Sequence, residues 1–328
     1  MSGPVKVDVF GRTDVGKARD HNEDSFLVAD LTTRTASLQP DVREHVVGRR
    51  GSLFMVADGM GGAAAGEVAS DLATTTVYNH MITQWGNDQE VSEQRFAYRL
   101  KEAVELANQQ IHEYAQNHLD ARGMGTTTTA AGVFEGALYL TQIGDSRGYL
   151  IRGGRIAQIT KDQSLMQRLV DAGELTEEEA AVSERRNIIL QALGPDPHVK
   201  VDLTRQDLCR GDVLVMCSDG LSGLVKKEEI FSTVTQATDL VTACKELIEL
   251  ANSRGGPDNI TCIVARFSGE GLAEPDGSEA LGHRVYPLLD TESTTDPVPV
   301  YKPEDQANRK TEAAPRKSES DKKKWWPF

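Results

Sequence analysis

Short apolar and β-branched runs at 5–10, 52–57, 138–143, 213–217 and 260–267, each bounded by Gly, Asp or Pro, predict strands. Segments 67–84 and 91–118 carry apolar residues at helical spacing, and so do 227–236 and 239–253. The helices therefore come in pairs. Between the pairs, 126–160 reads as several consecutive strands with turns at Glu135-Gly136 and Gly153-Gly154, which favours antiparallel pairing over a βαβ alternation. Thr176 followed by Glu179 forms a capping box and predicts a short helix inside 164–193, a stretch expected to be a surface flap. After Phe267 the apolar periodicity stops and Gly, Pro, Ser, Thr and charge dominate. The expected organisation is one domain over 1–267 and a flexible tail over 268–328.

Composition narrows the function classes. The chain has 328 residues, 39% of them hydrophobic, enough for a sizeable core. A formal charge of −14 opposes a phosphate backbone and argues against nucleic-acid binding, while leaving cation binding open. Cys209, Cys217, Cys244 and Cys262 show no CxxC spacing, which fits a reducing compartment better than a zinc or redox site. There is no signal-peptide pattern and no apolar run of the roughly 20 residues that a membrane helix needs. A cytoplasmic monomer is expected.

Asp58, Asp145 and Asp219 each end an apolar run and stand beside a glycine, so strand ends would deliver them to one rim. Asp258 follows the turn Gly256-Pro257, and Glu23-Asp24 follows the first strand. For any one of them an ordinary Asp-Gly turn is a sufficient account. Five together are harder to dismiss. Two carboxylates about 5 Å apart at an effective dielectric of about 20 repel by roughly 3 kcal/mol, so several such pairs call for bound cations. Hard oxygen ligands without His or Cys select Mg²⁺ or Mn²⁺. Two such ions can hold and deprotonate a water and neutralise phosphate oxygens, which makes a phosphoester the natural substrate.

In order along the chain stand Arg19-Asp20-His21-Asn22-Glu23-Asp24, Phe54-Met55-Val56-Ala57-Asp58-Gly59-Met60-Gly61-Gly62, Gly123-Met124-Gly125-Thr126-Thr127 and Gly144-Asp145-Ser146-Arg147. Lys161-Asp162-Gln163-Ser164, Ser218-Asp219-Gly220 and Gly256-Pro257-Asp258-Asn259 complete the set. This ordered combination resembles the PPM (PP2C-type) protein serine/threonine phosphatases, in particular the bacterial branch. The resemblance implies an α+β fold, a β-sandwich of two antiparallel sheets flanked by helix pairs, with a metal centre at one end. It implies two Mn²⁺ or Mg²⁺ ions, with Asp58 bridging both, Asp219 and Asp258 completing the first, and Glu23 with the Gly59 carbonyl serving the second. Asp145 and Asp219 match the positions of a third, weaker ion. Arg19 would grip the substrate phosphate, a role suited to a planar guanidinium; the plainer alternative is a surface salt bridge. Phosphorylated proteins, a Ser/Thr kinase among them, are the implied partners. Met60 stands where many eukaryotic members have a histidine, and a thioether cannot donate a proton, so no general acid is assigned.

Rival readings are weaker. Gly11 to Lys17 nearly spells a P-loop, but Ala18 offers no hydroxyl for Mg²⁺. Gly59 to Ala64 imitates a dinucleotide fingerprint, but Asp58 would repel a pyrophosphate. A catalytically dead phosphoprotein-binding fold would be expected to have lost a ligand, and none is lost. A phosphatase dedicated to one regulatory protein usually sits beside a sensor domain. Arg34, Arg43, Arg49 and Arg50 either steer acidic substrates or decorate a solvated hairpin loop. The cluster Lys322-Lys323-Lys324-Trp325-Trp326-Pro327-Phe328 is a candidate for weak docking on an anionic membrane or a partner.

Overall fold

The computed structural model describes residues 3–37, 42–61 and 65–289. The Lys/Trp cluster and the tail expected to be flexible from 290 onward lie outside the described residues. In chain order the first strands are β1 (Lys6–Asp14), β2 (Asp24–Asp30), β3 (Thr35–Ser37), β4 (Val42–Val46) and β5 (Ser52–Met60). Helices α1 (Ala65–Thr83) and α2 (Glu93–Asn117) follow. Then come β6 (Gly125–Thr126), β7 (Thr128–Phe134), β8 (Ala137–Ile143), β9 (Arg147–Arg152) and β10 (Arg155–Gln158). The short helices α3 (Leu165–Asp171) and α4 (Glu177–Ala181) lead to β11 (Asp202–Asp207) and β12 (Val213–Cys217). Helices α5 (Asp219–Ser222), α6 (Lys227–Gln236) and α7 (Leu240–Ser253) precede β13 (Ile260–Ser268).

Two antiparallel sheets result. One has the order β10-β9-β12-β13-β1-β4, the other β11-β8-β7-β5-β2-β3, with β6 paired to the end of β5. Each is covered on both faces, which explains why the strands read as continuous apolar runs instead of alternating ones. Along β13, Ile263, Ala265 and Phe267 pack between the sheets, while Ile260, Cys262 and Val264 face α6 and α7. Along β5, Phe54 and Val56 point between the sheets, and Leu53, Met55 and Ala57 point towards α1 and α2. The layers are α-β-β-α, as the resemblance implies.

Local chemistry sets the ends. Ser92 accepts from the Arg95 backbone N–H at 3.3 Å to start α2, and Asp239 accepts from that of Thr242 at 2.8 Å to start α7. The capping box of Thr176 and Glu179 opens α4. Glu135 and Gly136 (φ 48° and 75°) make the β7–β8 turn and Gly153 and Gly154 (φ 54° and 76°) the β9–β10 turn, the left-handed pairs that a two-residue hairpin requires.

Three expectations change. The glycine-rich stretch from Gly11 is strand up to Asp14 and no helix follows Lys17, so the P-loop reading is excluded. Segment 32–50 is no hairpin: β3 pairs with β2 in one sheet and β4 with β1 in the other. Within it, Arg50 is structural, giving hydrogen bonds to the Trp85 and Asp88 carbonyls at 2.7 and 2.9 Å and lying over the Trp85 ring. Finally, the chain stays on the body after β13. Leu272 is buried between the sheets, and the edge strand β11 pairs with the chain beyond it, Arg205 N–H to Arg284 carbonyl at 3.0 Å and Tyr286 N–H to Leu203 carbonyl at 2.8 Å. The compact unit ends at Leu288, past the boundary expected after 267.

Candidate metal centre

The strand ends do gather the acids. Asp24 opens β2 directly opposite Asp58 near the end of β5, and Asp219 begins α5 where β12 ends. Asp258 precedes β13, the neighbour of β12. Asp145 follows Gly144, whose φ of +94° turns the chain out of β8. Electrostatics ties the five together. Burial first, then Asp24, Asp219, Asp145 and Asp258, push the Asp58 carboxyl well above its ordinary range. Burial and then Asp219 and Asp162 push Asp145 up to about 7. Asp219 is raised by burial and then by Asp258.

Glu23 is buried, and two glycines make room for it. A Cβ on Gly66, in the first turn of α1, would stand 2.7 Å from the Glu23 carboxyl carbon, and one on Gly59 would stand 2.5 Å from the Glu23 carbonyl oxygen. The Gly59 N–H donates to that carbonyl at 3.2 Å. Arg19 lies on the rim, its Nη2 donating to Asp258 Oδ2 at 2.9 Å; Glu23 and Asp58 also favour its charge. The salt-bridge alternative is thus real, with the partner belonging to the acid cluster itself. Met60 ends β5 opposite Gly125.

Several supports of these acids, Ser218, Thr261, Asn259 and Thr127, were not singled out from the sequence. Asp24 Oδ2 accepts from Ser218 Oγ at 2.8 Å and Thr261 Oγ1 at 2.6 Å. Its carboxyl is nevertheless raised to about 7, by burial foremost, with Asp219 and Asp258 adding to it. Asn259 takes the Glu23 N–H on Oδ1 at 2.8 Å and donates to the Val15 and His21 carbonyls. Thr127 fixes Asp58 from both sides: its N–H donates to the Asp58 carbonyl at 2.8 Å and its Oγ1 accepts from the Asp58 N–H at 3.2 Å. Asn259 and Thr127 lie inside motif blocks already noted, which was the available signal.

The donor set fits a hard divalent cation. It is all oxygen, Glu23 is cradled where no side chain intrudes, and Asp24 Oδ1 and Asp145 Oδ1 are buried with no hydrogen-bond partner. Buried carboxylate oxygens left unpaired cost stability unless something positive meets them. Among the described residues no three His, Cys, Asp or Glu side chains are drawn into a ready-made metal shell. The acids raise one another's proton affinity, a repulsion that bound cations relieve.

A family model described as protein phosphatase 2C matches residues 34–253. The serine/threonine phosphatase stp of Listeria welshimeri is 35% identical over 254 residues, 77% of this chain and 93% of that one. The serine/threonine protein phosphatase PstP of Mycobacterium tuberculosis is 39% identical over 77% of this chain, which spans 44% of PstP. A crystal structure of that phosphatase superposes with a TM-score of 0.67 at 36% identity, covering 82% of this chain and 100% of that one. A structure of the PstP catalytic domain in complex with two manganese ions superposes with a TM-score of 0.65 at 37% identity, covering 80% and 99%.

Proposed function

The chain belongs to the protein phosphatase 2C family, and from that premise we propose that it hydrolyses phosphoserine and phosphothreonine in bacterial proteins. The observation that carries the reading is the convergence of Asp58, Asp145, Asp219 and Asp258 with two buried, unpartnered carboxylate oxygens at the rim. Glu23, Asp58, Asp219, Asp258 and the Gly59 carbonyl would hold two Mn²⁺ or Mg²⁺ ions, and Asp145 with Asp219 a third. When bound, such ions would supply an activated water for phosphoester hydrolysis and would neutralise charge on the phosphate oxygens. Asp24, Thr127 and Asn259 hold the ligand-bearing backbone in place. Arg19, tethered to Asp258 by one nitrogen, orients the phosphate through its remaining N–H groups. Met60 supplies no proton to the leaving alkoxide.

The reading extends to a Ser/Thr kinase as the opposing partner, to a monomeric enzyme and to the cytoplasm. The proposed catalytic residues all fall within 1–267. Four free, buried cysteines support a reducing location. Among the described residues no helix is long and apolar enough to cross a membrane.

The test is hydrolysis of an aryl phosphate and a phosphothreonine peptide with Mn²⁺ or EDTA, comparing wild type with Asp58→Asn and Asp219→Asn. Wild type with Mn²⁺ is expected to turn over both. EDTA and each substitution should lower kcat/KM by at least on the order of 100-fold, since even outer-shell partners of metal ligands are worth 10–100-fold. A folded, Mn²⁺-loaded wild type that is inactive on both substrates sinks the reading.

A further inference from the structure

The stretch 164–193 leaves the body and returns, and one side chain stands at the point where it does both. Gln163 precedes the excursion. Its backbone N–H donates to the Gly144 carbonyl at 2.8 Å, and its side-chain Oε1 accepts from the Gly144 N–H at 3.0 Å. Gln163 therefore takes both backbone groups of the residue that turns Asp145 into the rim. Nε2 of the same amide donates to the Gln142 carbonyl at 3.2 Å. On its other side, Gln163 Oε1 also accepts from Gln191 Nε2 at 2.9 Å, and the Gln163 carbonyl accepts from the Leu190 N–H at 2.8 Å. Gln191 in turn exchanges hydrogen bonds with the Lys200 backbone at 2.7 and 2.9 Å.

The Asp145 loop has few other restraints on Gly144. A second buried amide, Gln142 Nε2, donates to the Gly144 carbonyl at 3.1 Å and to the Ser146 carbonyl at 2.7 Å. Thr129 Oγ1 bonds Gln142 and the Ser146 carbonyl. The Gly144 N–H has Gln163 as its acceptor, and a Cβ at Gly144 would stand 2.7 Å from Thr127 Cβ, so the turn tolerates no displacement towards Thr127. Asp145 Oδ1 is buried with no hydrogen-bond partner.

We propose that Gln163 is a positioning residue: its amide holds the Asp145 loop in register and joins it to the returning end of the excursion at Leu190-Gln191. The excursion and the loop then loosen or tighten together. The consequence for catalysis rests on the phosphatase reading; the coupling itself does not.

Amide hydrogen exchange of the full chain, without metal, tests the coupling independently of any activity. Gln163→Ala should speed exchange at 142–147 and at 188–191 by on the order of tenfold, the scale of one or two lost hydrogen bonds, with α2 unchanged. Acceleration in one segment alone overturns the proposal. Should Gln163→Ala loosen the whole fold, Gln191→Ala decides, because it spares the Gly144 clamp while removing the side-chain half of the bridge, the bond from the Leu190 N–H to the Gln163 carbonyl remaining: faster exchange at 142–147 supports coupling, and unchanged exchange there overturns it. Gln167→Ala, whose amide meets only Asp171 within the excursion, is the control expected to leave 142–147 alone. With Mn²⁺ saturating, Gln163→Ala should lower kcat on both substrates while leaving KM for the aryl phosphate within about twofold, whereas a purely structural role leaves kcat of the folded fraction unchanged. Inactive wild type removes only this kinetic arm.

Discussion

Two regions of this protein bury carboxylates, and they do it in opposite ways. Between α1 and α2, Asp88 accepts paired hydrogen bonds from Arg95 at 2.9 Å and from Arg99 at 2.8 and 3.2 Å, and Arg99 passes on to Glu102 at 2.6 Å. Burial pushes Glu102 up, but His80 and Arg99 overcome it and hold the carboxyl at about 2. At the rim the same burial acts on Asp24 and Asp145 and the neighbours are other acids, so both rise to about 7. Between α1 and α2 the guanidinium partners of the carboxylates are built in. At the rim Arg19 meets Asp258 from the exposed side, and Arg147 eases Asp145 and Asp219 without cancelling their rise.

The largest effect expected on the structural side comes from the buried pair of Arg152 and Asp212. Arg152 Nε and Nη2 donate to the two Asp212 oxygens at 2.8 and 2.6 Å, and the Cys209 N–H donates to Asp212 at 2.8 Å. Asp212→Ala strands an enclosed guanidinium and a backbone N–H, and should cost about 3–5 kcal/mol in urea unfolding. A loss below about 1 kcal/mol would mean that built-in pairing is not what holds a structural carboxylate of this protein in place. At the rim the sign reverses. Asp58→Asn removes a mutually repelled carboxylate, so the metal-free protein should melt higher than metal-free wild type. Mn²⁺ at 100 times its Kd should stabilise wild type by about 2.7 kcal/mol, and the variant by much less. Equal Mn²⁺ shifts in calorimetry would show that the ions bind elsewhere.

The same contrast explains what could be read from the chain alone. Strand runs and helix pairs were legible because burial on two faces and a 3.6-residue period leave marks in composition. The acids were legible because Asp-Gly at a strand end is a local signal. Their supports were not: Ser218 and Thr261 reach Asp24 across 194 and 237 residues, and Asn259 reaches Glu23 across 236. No local spacing records such contacts. Strand β2 was hidden because its first residues read as motif, and β11 because Asp202 to Asp207 is polar, an edge strand completed by the chain at 284–286. That closing segment was missed since it is held by backbone hydrogen bonds and a few residues, Leu272 and Tyr286 among them, which composition does not reveal.

The smallest effect sharpens the comparison through pH. Glu102 is held at about 2 in the folded protein against an ordinary 4.5, so the folded state favours its ionised form. A depressed folded value means that the contribution is fully present above about pH 4.5 and is lost as pH falls towards about 2. Its side chain is 23% exposed and shares Arg99 with Asp88, so screening limits the contribution to on the order of 1 kcal/mol. Unfolding of wild type and Glu102→Gln in urea at pH 5, 4 and 3 follows Glu102 through its own titration. The gap between them should shrink steadily from pH 5 downwards. A gap that persists unchanged at pH 3 would show that Glu102 acts through packing, and that the paired region does not owe its stability to the charges that the rim lacks.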